Sequence, residues 1–94
     1  MHTTFETTEL EVVCTVEKEM KRRYQGAMYK GLRLRVAQIR AATGIEDLLE
    51  GPGKWHALTG RGADVYAGHI SRNWRIVVQI TTTIHVLAIE DYHQ

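Results

Sequence analysis

Three runs rich in β-branched and aromatic residues, Val65 to Ser71, Trp74 to Ile80 and Ile84 to Glu90, are separated only by Arg72-Asn73 and Thr81-Thr82-Thr83. Gaps that short admit hairpins but no crossover helix, so the three runs predict an antiparallel meander. The first half of the chain has another period. Met28, Leu32, Val36, Ile39 and Thr43 recur at three- and four-residue steps, with Lys30, Arg33 and Arg40 off that stripe. This is the pattern of an amphipathic helix, which Gly44 stops. Thr43-Gly44-Ile45-Glu46 has the spacing of a capping box and predicts a short helix through Asp47-Leu48-Leu49, ended by Gly51-Pro52-Gly53. Residues 7 to 20 fit two periods. Leu10, Val12, Cys14 and Val16 alternate with polar residues as a strand would, whereas Thr8-x-x-Glu11 would cap a helix that Gly26 separates from the next one. Helices first and strands later indicate an α+β domain, with helices on one face of an antiparallel sheet and the other face left for a ligand.

With 94 residues the chain closes one core, so residues 1–94 are read as a single domain. No apolar run approaches the roughly 20 residues of a membrane-spanning helix, and Met1-His2-Thr3-Thr4-Phe5-Glu6 has neither the basic start nor the apolar stretch of a signal peptide. A cytoplasmic protein without a membrane partner is expected. Cys14 cannot form an internal disulfide, being the one cysteine, and among Val12, Val13 and Val16 it reads as a small buried hydrophobe. The five histidines are scattered without paired spacing, so no metal site and no cofactor is expected. Charge is unevenly distributed. Residues 1 to 17 carry four glutamates and no basic residue, while residues 18 to 40 carry eight basic residues against Glu19. Lys21, Arg22, Arg23, Arg33 and Arg40 in that stretch are candidate RNA-phosphate contacts.

The chemistry-bearing residues gather elsewhere. Gly51-Pro52-Gly53-Lys54-Trp55-His56 is a turn-rich loop with a histidine, Asn73-Trp74-Arg75-Ile76 places an arginine on a strand, and Glu90-Asp91-Tyr92-His93 follows the last strand. An acid, a phenol and an imidazole in consecutive positions are seldom needed for packing. Cleavage of RNA through its own 2′-hydroxyl needs a base, an acid and a cation for the phosphorane. His56, Asp91 and His93 can supply the first two roles, and Arg75 the third. His93 or Asp91 is placed near the attacking hydroxyl and His56 near the leaving group. Tyr92 either stacks on an unpaired base or closes the sheet edge. Lys54, Arg61, His69 and Arg72 are further candidates to hold phosphates, although Gly60-Arg61-Gly62 itself reads as a turn. Trp55 and Trp74 read as core or loop-anchoring residues.

Loop histidine, strand arginine and terminal Asp-Tyr-His, in this order and spacing, resemble the HigB branch of the RelE/ParE toxin superfamily. The resemblance covers residues 51 to 93; residues 1 to 50 match only in length and helical character. Thr59 stands where the family's loop lysine is expected, and His69 follows Ala67-Gly68 where an arginine is expected. The resemblance implies a RelE-like, microbial-ribonuclease type of fold and favours a helix over residues 7 to 20. It implies a toxin of a type II toxin–antitoxin system, a metal-independent endoribonuclease that cleaves mRNA on the ribosome. It also implies a HigA-like helix-turn-helix antitoxin, through which the complex binds operator DNA. Two alternatives share the scaffold: a non-catalytic ParE-like toxin that inhibits gyrase, and an inactive RNA- or partner-binding relative.

Overall fold

The computed structural model describes residues 1–92, so His93 lies outside the described residues. The elements run β1 (Thr3–Phe5), α1 (Thr8–Thr15), α2 (Glu17–Arg23), α3 (Gly26–Ala41), α4 (Ile45–Leu49), β2 (His56–Ala57), β3 (Val65–Ser71), β4 (Trp74–Ile80) and β5 (Ile84–Asp91). The expected meander is present as β3, β4 and β5, and the class is α+β. The sheet is mixed rather than wholly antiparallel, with order β1-β5-β4-β3-β2. β1 joins parallel to β5, its ladder continued by Ile84 N–H to His2 O and Glu6 N–H to Val86 O, both 2.9 Å. Three residues are too few to show alternation, and their stability comes from pairing with a strand at the far end of the chain.

The stretch at residues 7 to 20 is helical but broken at Val16, whose extended backbone ends α1 and opens α2. Thr7, rather than Thr8, caps α1, accepting from the Leu10 amide at 3.0 Å. At the start of α4 the carboxylate that answers Thr43 belongs to Asp47 rather than Glu46, taking the Thr43 amide at 2.7 Å and its hydroxyl at 2.8 Å. Those two donors hold the Asp47 carboxyl below its ordinary range. Among the described residues, no helix is long and apolar enough to cross a membrane.

The core lies between the helices and one face of the sheet. Leu32, Val36 and Ile39 of α3, Val13 and Cys14 of α1, Met20 and Leu48 meet Ile76, Val78, Ile80, Ile84 and Val86. The opposite face is not wholly open. Val65, Ala67 and Val77 sit on it, outside that core, and are nevertheless buried. Burial there needs a cover, and the loop after β2 is attached to this face twice: Arg61 reaches Glu90, and Gln79 donates to Ala63 O at 3.1 Å. A register shift between β4 and β5 sets what else shares the face. Val77 pairs with Ala88 but Val78 pairs with Val86, leaving Leu87 as an extra residue. Such a bulge reverses the strand's phase. Beyond it Ala88 and Glu90 face away from the core, whereas unbroken alternation from Ile84 and Val86 would have turned them inward.

Candidate active site

The residues of interest are positioned by the edge of this sheet. β2 pairs His56 with Ala67, and upstream of it Gly53 O accepts the His69 amide at 2.7 Å, so the loop of residues 51 to 55 runs alongside the end of β3. Two glycines make that path possible. Gly68 leaves room for the Trp55 ring, which lies 2.6 Å from where a Cβ would stand, and the indole is buried there. Gly53 has φ +104°, a region that side-chain-bearing residues rarely adopt, and Arg35 occupies the place of its missing Cβ. From α3, Gln38 ties the loop down twice, donating to Pro52 O at 2.8 Å and accepting from Trp55 Nε1 at 2.9 Å. With Trp55 directed into the core, its neighbours Lys54 and His56 are left exposed.

These constraints bring Lys54, His56, His69, Arg75 and Tyr92 together around a cleft of about 230 Å³ on the face away from the helices. His69 and Arg75 are cross-strand partners, and Arg75 is in turn opposite Glu90. The Tyr92 ring lies under the Arg75 guanidinium, 5.0 Å from ring centre to Cζ, a cation–π arrangement. His56 Nδ1 is 2.9 Å from Lys54 O. A carbonyl only accepts, so Nδ1 carries the proton and Nε2 is left as the basic nitrogen. The described wall contains two fixed cations, two imidazoles and a phenol, and no carboxylate. It suits an anion whose reaction involves proton transfer.

Arg75 is anchored by an acid that the sequence reading did not assign to the site. Glu90 accepts from Arg75 Nε at 2.9 Å and Nη2 at 2.7 Å, and from Arg61 Nη1 and Nη2 at 3.0 and 3.1 Å. The hydrogen bonds from Arg61, and then from Arg75, lower the Glu90 carboxyl below its usual range, while the same contact raises Arg61. Arg61 thus faces Glu90 and does not line the cleft. Asp91 is out of phase with Glu90 and Tyr92, opposite Trp74, and is not part of the described wall. Arg72 lies in the β3–β4 turn. Thr59 is exposed in the turn after β2.

Lys21, Arg22, Arg23, Arg33 and Arg40 belong to the helical layer, across the sheet from the cleft. Arg22 pairs with Glu19, Arg23 with Glu9 and Arg33 with Glu17. A roomier hollow of about 330 Å³ opens on that side between β1, α1 and α3. It is lined by His2, Glu11 and Arg40 among apolar and hydroxyl side chains, one fixed side-chain charge of each sign, and so gathers no comparable cluster of cations. No three described His, Cys, Asp or Glu side chains are grouped to hold a metal ion.

No family model and no curated protein matches the sequence. Solved structures do. The YoeB dimer from Staphylococcus aureus superposes with a TM-score of 0.67 at 21% identity, over 100% of this chain and 98% of that one. The YoeB–YefM complex from the same organism gives 0.63 at 19% identity, again over 100% and 98%. With near-complete coverage in both directions, the chain has the fold of these YoeB structures.

Proposed function

We propose that this protein is the toxin of a type II toxin–antitoxin pair and acts as a metal-independent endoribonuclease on mRNA held by the ribosome. The observation that carries the reading is the cleft: Lys54, His56, His69, Arg75 and Tyr92 converge without a carboxylate among them. A phosphodiester supplies the complementary charge. In the reaction the ribose 2′-hydroxyl attacks its own phosphate. Arg75 and Lys54 meet the charge that grows on the non-bridging oxygens, His56 in its imidazolium form gives the Nε2 proton to the leaving 5′-oxygen, and Tyr92 offers a face for an unpaired base. Asp91 and His93 are proposed, from the terminal motif, to serve the attacking hydroxyl. A small antitoxin is the proposed partner, in keeping with a structural neighbour that is itself a YoeB–YefM complex. A HigA-like helix-turn-helix protein that carries the pair onto operator DNA is the form the HigB-like motif suggests. YoeB as structural neighbour leaves that branch resting on the motif alone.

The test is cleavage of ribosome-bound mRNA mapped by primer extension. Cutting should tolerate EDTA, with ribosome integrity checked in controls that receive added magnesium. It should leave a 2′,3′-cyclic phosphate, stop with a 2′-O-methyl at the cleavage position, and fall by about 100-fold or more in His56→Ala, within the range of one acid–base group. Growth arrest with intact mRNA, or a 5′-phosphate product, would overturn the reading.

A further inference from the structure

Glu90 occupies an unusual position for an acid. It stands on the same face as the cationic cleft, yet it is not part of the cleft wall, and its two oxygens receive four N–H donors from two arginines. The geometry of those four contacts differs between the partners. Arg61 meets the carboxylate end-on through both Nη atoms. Arg75 presents Nε and Nη2, both to Oε2, so its Nη1 is the terminal nitrogen not engaged by Glu90. The ring of Tyr92 covers one face of the same guanidinium. Arg75 is therefore gripped along one edge and over one face, while it lines the cleft. Its side chain is 20% exposed, against 40% for Arg61.

Charge makes the arrangement more informative. A lone Glu90–Arg75 pair would be neutral and would cancel the attraction of Arg75 for an anion. Arg61 supplies the second positive charge, so two arginines and one glutamate leave the group at +1. Orientation comes from Glu90, and the charge that Glu90 would cancel is returned by Arg61. The bulge at Leu87 is what turns Glu90 to this face, so the device is built into the sheet.

We propose that Glu90 is a positioning residue that fixes the plane of the Arg75 guanidinium so that Nη1 meets a non-bridging phosphate oxygen, with Arg61 as the counter-charge of Glu90 rather than an RNA ligand. This rests on reading the cleft as a phosphodiester site. An unrestrained arginine reaches the same oxygen from many rotamers, and holding one of them lowers the barrier without tightening ground-state binding.

The two partners should consequently fail in different ways. Glu90→Gln should lower kcat about 10- to 100-fold with KM changed less than about 3-fold, because orientation is lost and positive charge is gained. Glu90→Asp, which keeps the charge but shortens the reach, should lose kcat as well. Arg61→Met should instead raise KM several-fold, because Arg75 is then neutralised by Glu90. The double variant Glu90→Gln/Arg61→Met should recover the parental KM but not kcat. A readout independent of cleavage is the Arg75 Nε–H resonance in a 15N-labelled sample, titrated with inorganic phosphate. It should be distinct and slowly exchanging in the parent, shift on adding phosphate, and move to the solvent-averaged position in Glu90→Gln. That pattern without mRNA cleavage would sink the ribonuclease reading and leave the arginine clamp standing. An Arg75 signal unchanged by Glu90→Gln, or equal loss of kcat and KM performance in both single variants, would overturn the clamp.

Discussion

Gln38→Ala separates loop anchoring from chemistry, since Gln38 belongs to α3 and is not part of the cleft wall. The substitution removes two hydrogen bonds at once, to Pro52 O at 2.8 Å and from Trp55 Nε1 at 2.9 Å. Each neutral bond contributes about 1 kcal/mol net, and the Trp55 donor, on a side chain only 6% exposed, is left without its acceptor. Alanine regains a few tenths of a kcal/mol in helix propensity. The net loss is about 2 kcal/mol, against a total of about 5–14 kcal/mol for a domain of this size, so the variant stays folded with its midpoint lowered by roughly 8–16 °C. The loop that carries Lys54 and His56 loses both ties to α3, and cleavage should fall by about 10-fold or more from misplacement alone. Thermal and urea unfolding, followed by tryptophan fluorescence, give the stability. A cycle with Trp55→Phe, which keeps an aromatic ring but has no donor, should show about 1 kcal/mol of coupling. Additivity within about 0.3 kcal/mol, or parental activity in Gln38→Ala, would refute the account of how the loop is held.

Two further outcomes follow from titrating groups. Burial pushes the Cys14 thiol up to about 12, so it should resist a thiol reagent such as DTNB at pH 8 in the native protein and react at once in denaturant; rapid native labelling would contradict its place in the core. Glu90 is lowered by Arg61 and then Arg75, so its stabilisation is complete above the unfolded-state value of about 4.3 and is lost as pH falls through the lower folded value. The urea midpoints of parent and Glu90→Gln should therefore differ at pH 7 and converge in acid below that window, and a gap that stays constant from neutral pH into acid would show that the ion group adds nothing.

The three long strands β3, β4 and β5 were legible because their period of two is carried by the residues themselves and the gaps are too short for anything but hairpins, whereas the two-residue β2 was read as loop. Their bounds agree with the sequence reading to within a residue. α3 was legible for the corresponding reason, although its stripe concealed Arg35, which is buried against Gly53 and whose Nε has no partner among the described residues. β1 was not legible, because a three-residue strand has no period and is held by β5 and by Thr4 and Glu6 meeting His85 at 2.7 and 2.8 Å. The site was legible in part. His56, Arg75 and Tyr92 could be chosen for their chemistry, and the fold does gather them. Glu90 could not, since strict alternation sends it into the core and only an extra residue in β5 turns it to the cleft side.

The segmental charge of the sequence, four acids followed by eight bases against one acid, has a different meaning once α1 and α2 are folded. Glu9 meets Arg23 at 3.1 Å, Glu17 lies 3.6 Å from Arg33 and Glu19 takes Arg22, so much of the apparent polyanion site is answered within the helical layer. Exposed pairs of this kind are each worth little and are readily exchanged for phosphate. Lys18, Lys30 and Arg40 have no ion pair among the described residues and remain outward. They face away from the cleft, with the sheet between, on a molecule about 32 × 28 × 23 Å. A single RNA strand seated at His56 and Arg75 cannot also lie along these helices without passing around the sheet. If both basic surfaces hold polyanions, they do so for two ligands or for one polyanion large enough to enclose the protein, and the proposed action on ribosome-bound mRNA requires the second case.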